Sequence, residues 1–169
     1  MAATSGTDPA PPAFAVDAML GRLARWLRVL GHDAAYGPHL RRRALLECAR
    51  REGRLLLTRD TRLLRDRDLP PHVFVTSDHF REQLRQVAAA VPLDRARPLR
   101  RCLECNRPLA AVPREQAAGR VPAYVWETQT SFLHCAGCDR LFWPATHGVR
   151  MRAELAAMGL APGGAAWTH

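Results

Sequence analysis

Cys102-Leu103-Glu104-Cys105 and Cys135-Ala136-Gly137-Cys138 are two CxxC pairs separated by 29 residues. No other feature so narrows what this chain can become. Each pair can wrap one face of a tetrahedral metal, with the two residues between the cysteines forming a knuckle. The chain must therefore leave the first pair and return to set the second against it. Two disulfides would use the same cysteines, but they belong to oxidising compartments, and the N-terminus does not read as a signal peptide. A redox CxxC needs no second pair. The reading is one zinc held by Cys102, Cys105, Cys135 and Cys138. Four thiolates close the coordination sphere, so this zinc is expected to be structural. Gly137 suits a tight backbone at its knuckle. Cys48 reads as a small core residue of a helix.

The residues around the cysteines are short apolar pieces broken by Pro108, Pro113 and Pro122. They predict ribbon-like β structure, including Val121–Trp126 and Leu141–Trp143, too small to stand without metal. Tyr124, Trp126, Phe132, Phe142 and Trp143 could stack on bases, but a small core beside the zinc is the simpler use. With four cysteines available, His134 and His147 are not needed as ligands.

The N-terminal half has another character. Phe14–Val16 suits a buried strand that stops at Asp17. The period then becomes helical, with Met19, Leu20, Leu23, Trp26, Leu27 and Leu30 on one face and Arg22, Arg25 and Arg28 opposite. Gly31 ends that helix. Asp33–Tyr36 is a weak strand and Arg41–Glu52 a helix with Leu45, Leu46, Cys48 and Ala49 inward. Arg54–Thr58 carries the strand LLLT and runs into Arg59-Asp60; a short turn or helix follows over Thr61–Arg67. His72–Thr76 carries HVFVT and runs into Ser77-Asp78. His79–Ala90 is a helix with Phe80, Leu84, Val87 and Ala88 as its stripe.

Three strands thus end in an acid, and helices alternate with them. That pattern predicts a parallel sheet with right-handed crossovers. Parallel strands share one carboxyl edge, where α/β ligands bind. Asp17, Asp60 and Asp78 are expected to meet there, although each could serve only as a helix cap. The organisation reads as a disordered leader over 1–13, an α/β domain over 14–91, a linker over 92–101, a zinc ribbon over 102–151 and a tail over 152–169, with a last helix over Val149–Met158 and frayed residues from Leu160 to His169.

The formal net charge is +9, and all 25 basic residues are arginine. A basic surface favours nucleic acid or another polyanion. No apolar run approaches membrane-spanning length, and a cytoplasmic protein is expected.

Taken together, VDAMLGRLARWLRVLG, EGRLLLTRD, SDHFREQL, RCLECNRPL and HCAGCDRLFWPATH resemble the PIN-like ribonuclease domains that end in a zinc ribbon, the exonuclease mut-7 C-terminal domain family. The resemblance runs from Phe14 to about Met151. It implies a PIN-like parallel sheet with flanking helices, followed by a small β-rich zinc ribbon, and metal-dependent cleavage of RNA by clustered acids. Carried over, Asp17 matches the first-strand acid, Asp60 the acid of the TRD motif and, more loosely, Asp78 a third.

Phosphodiester hydrolysis needs an activated water and neutralised charge, which magnesium or manganese on one or two carboxylates provides. Asp17 and Asp60 are the expected ligands of that metal, with Asp78 completing the shell or orienting water. Arg22, Arg25 and Arg28 offer a phosphate-binding stripe, or an ordinary solvated face. A phosphatase with an aspartyl nucleophile wants a second acid where Met19 stands, and a phospho-receiver domain wants a lysine, which this chain lacks. The alternative is a noncatalytic RNA- or ribosome-binding protein with a degenerate site. One departure from the family supports it: Arg41-Arg42-Arg43 stands where an acid is expected. Arg42 shares the inward face of Leu45 and Ala49 and would meet the acids, repelling a metal or binding the scissile phosphate.

Overall fold

The computed structural model describes residues 11–95, 98–143 and 146–161. The leader over 1–10 and the end of the tail over 162–169 lie outside the described residues. Phe14–Val16 forms β1. A short 3-10 turn, Ala18–Leu20, leads into α1, Gly21–Val29. Ala34–Ala35 is β2, Arg42–Arg51 is α2 and Leu55–Thr58 is β3. His72–Phe74 is β4 and Phe80–Ala90 is α3. The four strands are parallel, in the order β2-β1-β3-β4.

Alternation along the strands divides the core in two, because successive side chains leave a strand on opposite faces. Phe14, Val16 and Leu57 enter one layer with Leu23 and Leu27 of α1 and Leu84 and Val87 of α3. Ala15 and Leu56 enter the other with Leu45, Leu46 and Ala49 of α2. Met19 does not join the apolar stripe: it is 62% exposed at the carboxyl edge, because the chain there is a 3-10 turn and not yet α1.

The cysteine-bearing half pairs Ala110–Val112 (β5), Phe132–Cys135 (β6) and Arg140–Phe142 (β7) into an antiparallel sheet. Where β structure was expected, Ala123–Thr128 is a helix, α4. Pro122 precedes it, a residue whose fixed backbone angle favours helix starts. Ala117, Val125 and Phe132 form a small core with Trp126 and Trp143 packed against it, while Tyr124 is exposed.

The last helix expected over Val149–Met158 forms, and it is longer at its start. Thr146–Ala157 is α5, and Leu155, Met158 and Leu160 are buried in the layer that holds α1 and α3. Leu103, from the first cysteine knuckle, is in that layer too. The two halves therefore share apolar core as well as a linker.

Candidate active site and metal centre

Asp17 is the residue at which β1 turns into the 3-10 helix, and it is 6% exposed. Its Oδ1 accepts the Met19 amide at 3.0 Å. Its Oδ2 accepts the Thr58 hydroxyl at 2.6 Å and, at 3.4 Å, the Arg59 amide. Asp17 is thus both a helix cap and a member of a wider array. Thr58, fully buried at the end of β3, also accepts the Asp60 amide at 3.0 Å. One hydroxyl therefore joins the two acids across neighbouring parallel strands.

Asp60 turns its carboxylate to Arg62, whose amide and Nε approach Oδ1 at 2.9 and 3.0 Å and whose Nη2 approaches Oδ2 at 3.2 Å. These bonds, with a contribution from the charge of Arg42, hold the Asp60 carboxyl below the usual carboxylate range. Arg42 is exposed and not on the inward face of α2. The face prediction fails there because Arg42 is the first residue of α2, whose burial begins only at Leu45. Its guanidinium still reaches the site and donates to the Arg62 carbonyl at 3.2 Å. Asp78 stands further out, its side chain 80% exposed, in an ion pair with Arg59. Among the described residues the three acids do not gather within one coordination shell; the single group of three or more that does is the cysteine set.

A carboxylate offers about four acceptor positions. Each of the two inner acids uses three by the contacts above and keeps one. The Arg62 side chain is 79% exposed, and exposed ion pairs are worth only ~0–1 kcal/mol. A hard divalent cation can displace such a partner. Two carboxylates with retained water is a donor set that magnesium or manganese accepts.

The cysteines are arranged for a different metal. All four sulfurs lie within 4.8 Å of one another, with Cys102–Cys138 at 3.6 Å and Cys105–Cys135 at 3.3 Å. A tetrahedron with ~2.3 Å zinc–sulfur bonds sets its sulfurs roughly 3.8 Å apart. Burial raises the Cys135 thiol, but hydrogen bonds from Cys105 and from the amides of Cys138 and Gly137 outweigh it and bring it down to about 7. The knuckle amides thus favour the ionised form of the Cys135 sulfur. The two knuckles repeat one device. Asn106 follows the first pair and Asp139 the second, both with positive φ, at 66° and 56°. Their amides return to Cys102 and Cys135 carbonyls at 3.0 and 2.8 Å. Asn and Asp tolerate that left-handed conformation better than other side chains. Gly137 serves another purpose than the expected one: a Cβ there would meet Arg107 Cδ at 2.3 Å.

Arg28 is a correction to the arginine stripe. It is 4% exposed and contacts no solvent-facing ligand surface. Its Nε and Nη2 donate to the Ala34 carbonyl at 3.0 and 2.9 Å, and its Nη1 to the carbonyls of Leu103 and Glu104, both at 2.9 Å. Burial lowers its pKa, opposed by the charges of Cys102, Cys105, Glu104 and Asp33. Asn106 completes the junction. Its Oδ1 accepts the Ala34 amide at 3.0 Å and its Nδ2 donates to Asp33 at 2.7 Å. The first knuckle therefore covers the open edge of β2, which would otherwise invite pairing with another chain. Arg22 and Arg25 remain exposed, as expected. Cys48 is only partly buried, beside Glu52, and burial pushes its thiol up.

The model of the Mut7-C RNAse domain family matches residues 12–155. The chain belongs to that family. The Mut7-C match spans the acid edge, the cysteine centre and nearly all of α5, the parts that share one core. RNA is the substrate class that its description names. No curated protein and no solved structure matches the chain. No helix among the described residues is long and apolar enough to cross a membrane.

Sequence reasoning on this Mut7-C chain missed Thr58, Arg59 and Arg62 as partners of the acids, and Arg28 and Asn106 as the link between β2 and the first cysteine knuckle. Thr58 was discoverable, being the polar residue that ends an otherwise apolar strand one place before Arg59-Asp60. The arginine partners carry no comparable signal in so arginine-rich a chain.

Proposed function

We propose that this chain is a metal-dependent ribonuclease, hydrolysing RNA phosphodiester bonds at the carboxyl edge of its parallel sheet with Asp17 and Asp60 as metal ligands. The observation that carries the reading is the Thr58 hydroxyl bonded to both residues. When bound, magnesium or manganese supplies an acidified water and neutralises charge at the phosphate. The chain's own residues do the rest. Asp17 is fixed by three donors and needs no reordering. Asp60 becomes available when Arg62 turns outward into solvent. Arg42 and the released Arg62 are then placed to hold non-bridging phosphate oxygens. Asp78, paired with Arg59, orients water or substrate from the outer rim. Zinc at the four cysteines holds the ribbon and takes no part in the chemistry. A four-thiolate centre suits a reducing compartment, so we place the protein in the cytoplasm.

A second reading has its own support: all the acids are engaged by groups of the same chain, and Arg42 lies where it opposes a cation. This reading is a noncatalytic RNA- or ribosome-binding protein. One experiment separates the two. Purified protein is incubated with labelled single-stranded RNA and manganese, beside Asp17→Asn and Asp60→Asn. The nuclease reading expects cleavage that both substitutions abolish while the folded state persists. RNA binding with no cleavage under any divalent metal would establish the noncatalytic reading instead.

A further inference from the structure

Beside the acid edge, α1, α3 and α5 enclose a cleft of about 300 Å³. Four guanidinium groups line it, those of Arg22, Arg25, Arg81 and Arg150, against one carboxylate, that of Glu154. A cleft lined mainly by one sign of charge focuses its field and concentrates ions of the other sign. The aromatic residues of the cleft are already committed. Trp26 and Phe80 stack with centroids 5.6 Å apart and planes 16° from parallel. The Arg22 guanidinium lies 3.8 Å from the Phe80 ring centroid. A ring holds a guanidinium by its plane and leaves the N–H edges for an acceptor. Arg150 is exposed and has no ion-pair partner among the described residues. Arg81 pairs with Glu154, and Arg25 with Glu104 at the rim at 3.0 Å.

Position gives the cleft its meaning. α1 and α3 both begin at the carboxyl edge of the sheet, just after Asp17 and Asp78. Arg22 and Arg81 each stand second in their helices, and Arg25 is only about 6 Å along the axis from the start of α1. We infer that this cleft binds a backbone phosphate of single-stranded RNA adjacent to the scissile one. The ligands are Arg22, Arg25, Arg81 and Arg150. The site reads phosphate and not base, because Phe80 is already stacked on Trp26 and covered by Arg22. Glu154 works against binding by holding Arg81. The inference rests on the ribonuclease reading for its substrate, but not on cleavage.

The test is equilibrium binding of a fluorescent single-stranded oligoribonucleotide to the zinc-loaded full chain, with no magnesium or manganese present. Arg22→Gln and Arg150→Gln, both at exposed positions, should each weaken binding about fivefold to tenfold. Glu154→Gln should tighten it a few-fold. Arg51→Gln and Glu47→Gln make the same charge changes on exposed α2 and should stay within about twofold of wild type. Equal losses in Arg22→Gln and Arg51→Gln would overturn the inference in favour of a diffuse basic surface. So would Glu154→Gln and Glu47→Gln behaving alike. Displacement of the oligonucleotide by inorganic phosphate at equal phosphate concentration would also overturn it, showing a free-anion site. Loss of cleavage in Asp17→Asn with binding intact would leave this inference standing, and lost binding in Arg22→Gln would leave the acid site standing.

Discussion

The Thr58 hydroxyl donates to the Asp17 carboxylate at 2.6 Å, and the bond is buried between the ends of β1 and β3. Valine has the shape of threonine without the hydroxyl. Thr58→Val strips Asp17 of a donor and leaves the Asp60 amide without its acceptor. The expected loss is about 1–3 kcal/mol of stability, together with most metal-dependent cleavage. Urea denaturation and a manganese titration of RNA cleavage would check it. Full activity in a destabilised variant would reduce Thr58 to a structural role.

Arg42 sits over Asp60 from α2 and contributes to keeping its carboxyl ionised. A divalent metal feels the same charge as repulsion. Arg42→Asp should tighten manganese binding by about threefold to tenfold, given the modest worth of exposed charge pairs, and speed cleavage. Calorimetry gives the first and RNA turnover the second. Slower cleavage at unchanged manganese affinity would assign Arg42 to the phosphate instead.

Arg62→Gln removes the side chain that occupies Asp60. Its fold stability should change little, since the pair is exposed. Manganese affinity should rise. An unchanged affinity would mean that Asp60 is not a metal ligand in solution.

Loss of zinc should reach the sheet. The Leu103 and Glu104 carbonyls of the first knuckle accept from Arg28, and the Asn106 side chain accepts from the Ala34 amide and donates to Asp33. A dication on four thiolates carries net negative charge, which also favours the buried Arg28 nearby. Cys102→Ser or a strong chelator should therefore lower the stability of the α/β half as well as unfold the ribbon. Arg28→Met should cost about 3 kcal/mol or more, since several buried carbonyls lose their donor. Amide exchange on β1 and β2 would measure both. Protection of those strands unchanged in Cys102→Ser would show two independent halves, as the sequence alone suggests.

His32 gives the fold an acid limit. It is 2% exposed, edge-on to Phe14 with centroids 5.6 Å apart. Burial pushes its imidazole below 6.5, against an opposing pull from Asp94. The unfolded chain takes up the proton first as pH falls. The stability contributed by the neutral ring is thus full above pH 6.5 and declines below it. His32→Phe should remove this decline in stability below pH 6.5, read by urea denaturation across that range.

The parallel sheet could be read from the chain because three apolar runs each ended in an acid, and period-2 burial needs no distant partner. The cysteine centre could be read because CxxC spacing is itself the ligand geometry. Arg28 could not: its period placed it opposite the leucines, and two of its acceptors come from 75 and 76 positions further on. Ala123–Thr128 looked β-like because Tyr124, Val125 and Trp126 favour strands, while Pro122 set the local backbone for a helix turn. The convergence of Asp17 and Asp60 followed from topology. Their different fates, one locked by Thr58 and one latched by Arg62, depend on side-chain pairing that no pattern encodes.

The sharing of core between the two halves also dictates an order of events at synthesis. Chains emerge from the ribosome N-terminus first. Ala34 must wait for Asn106, and α1 must wait for Leu155 before its buried face is closed. A nascent chain halted before residue 106 holds Arg28 without two of its acceptors and β2 with an uncovered edge. It has no finished half to fold into. The acid edge is therefore closed late, when the second cysteine pair and α5 are out, and a chain truncated before them lacks the contacts that complete its core.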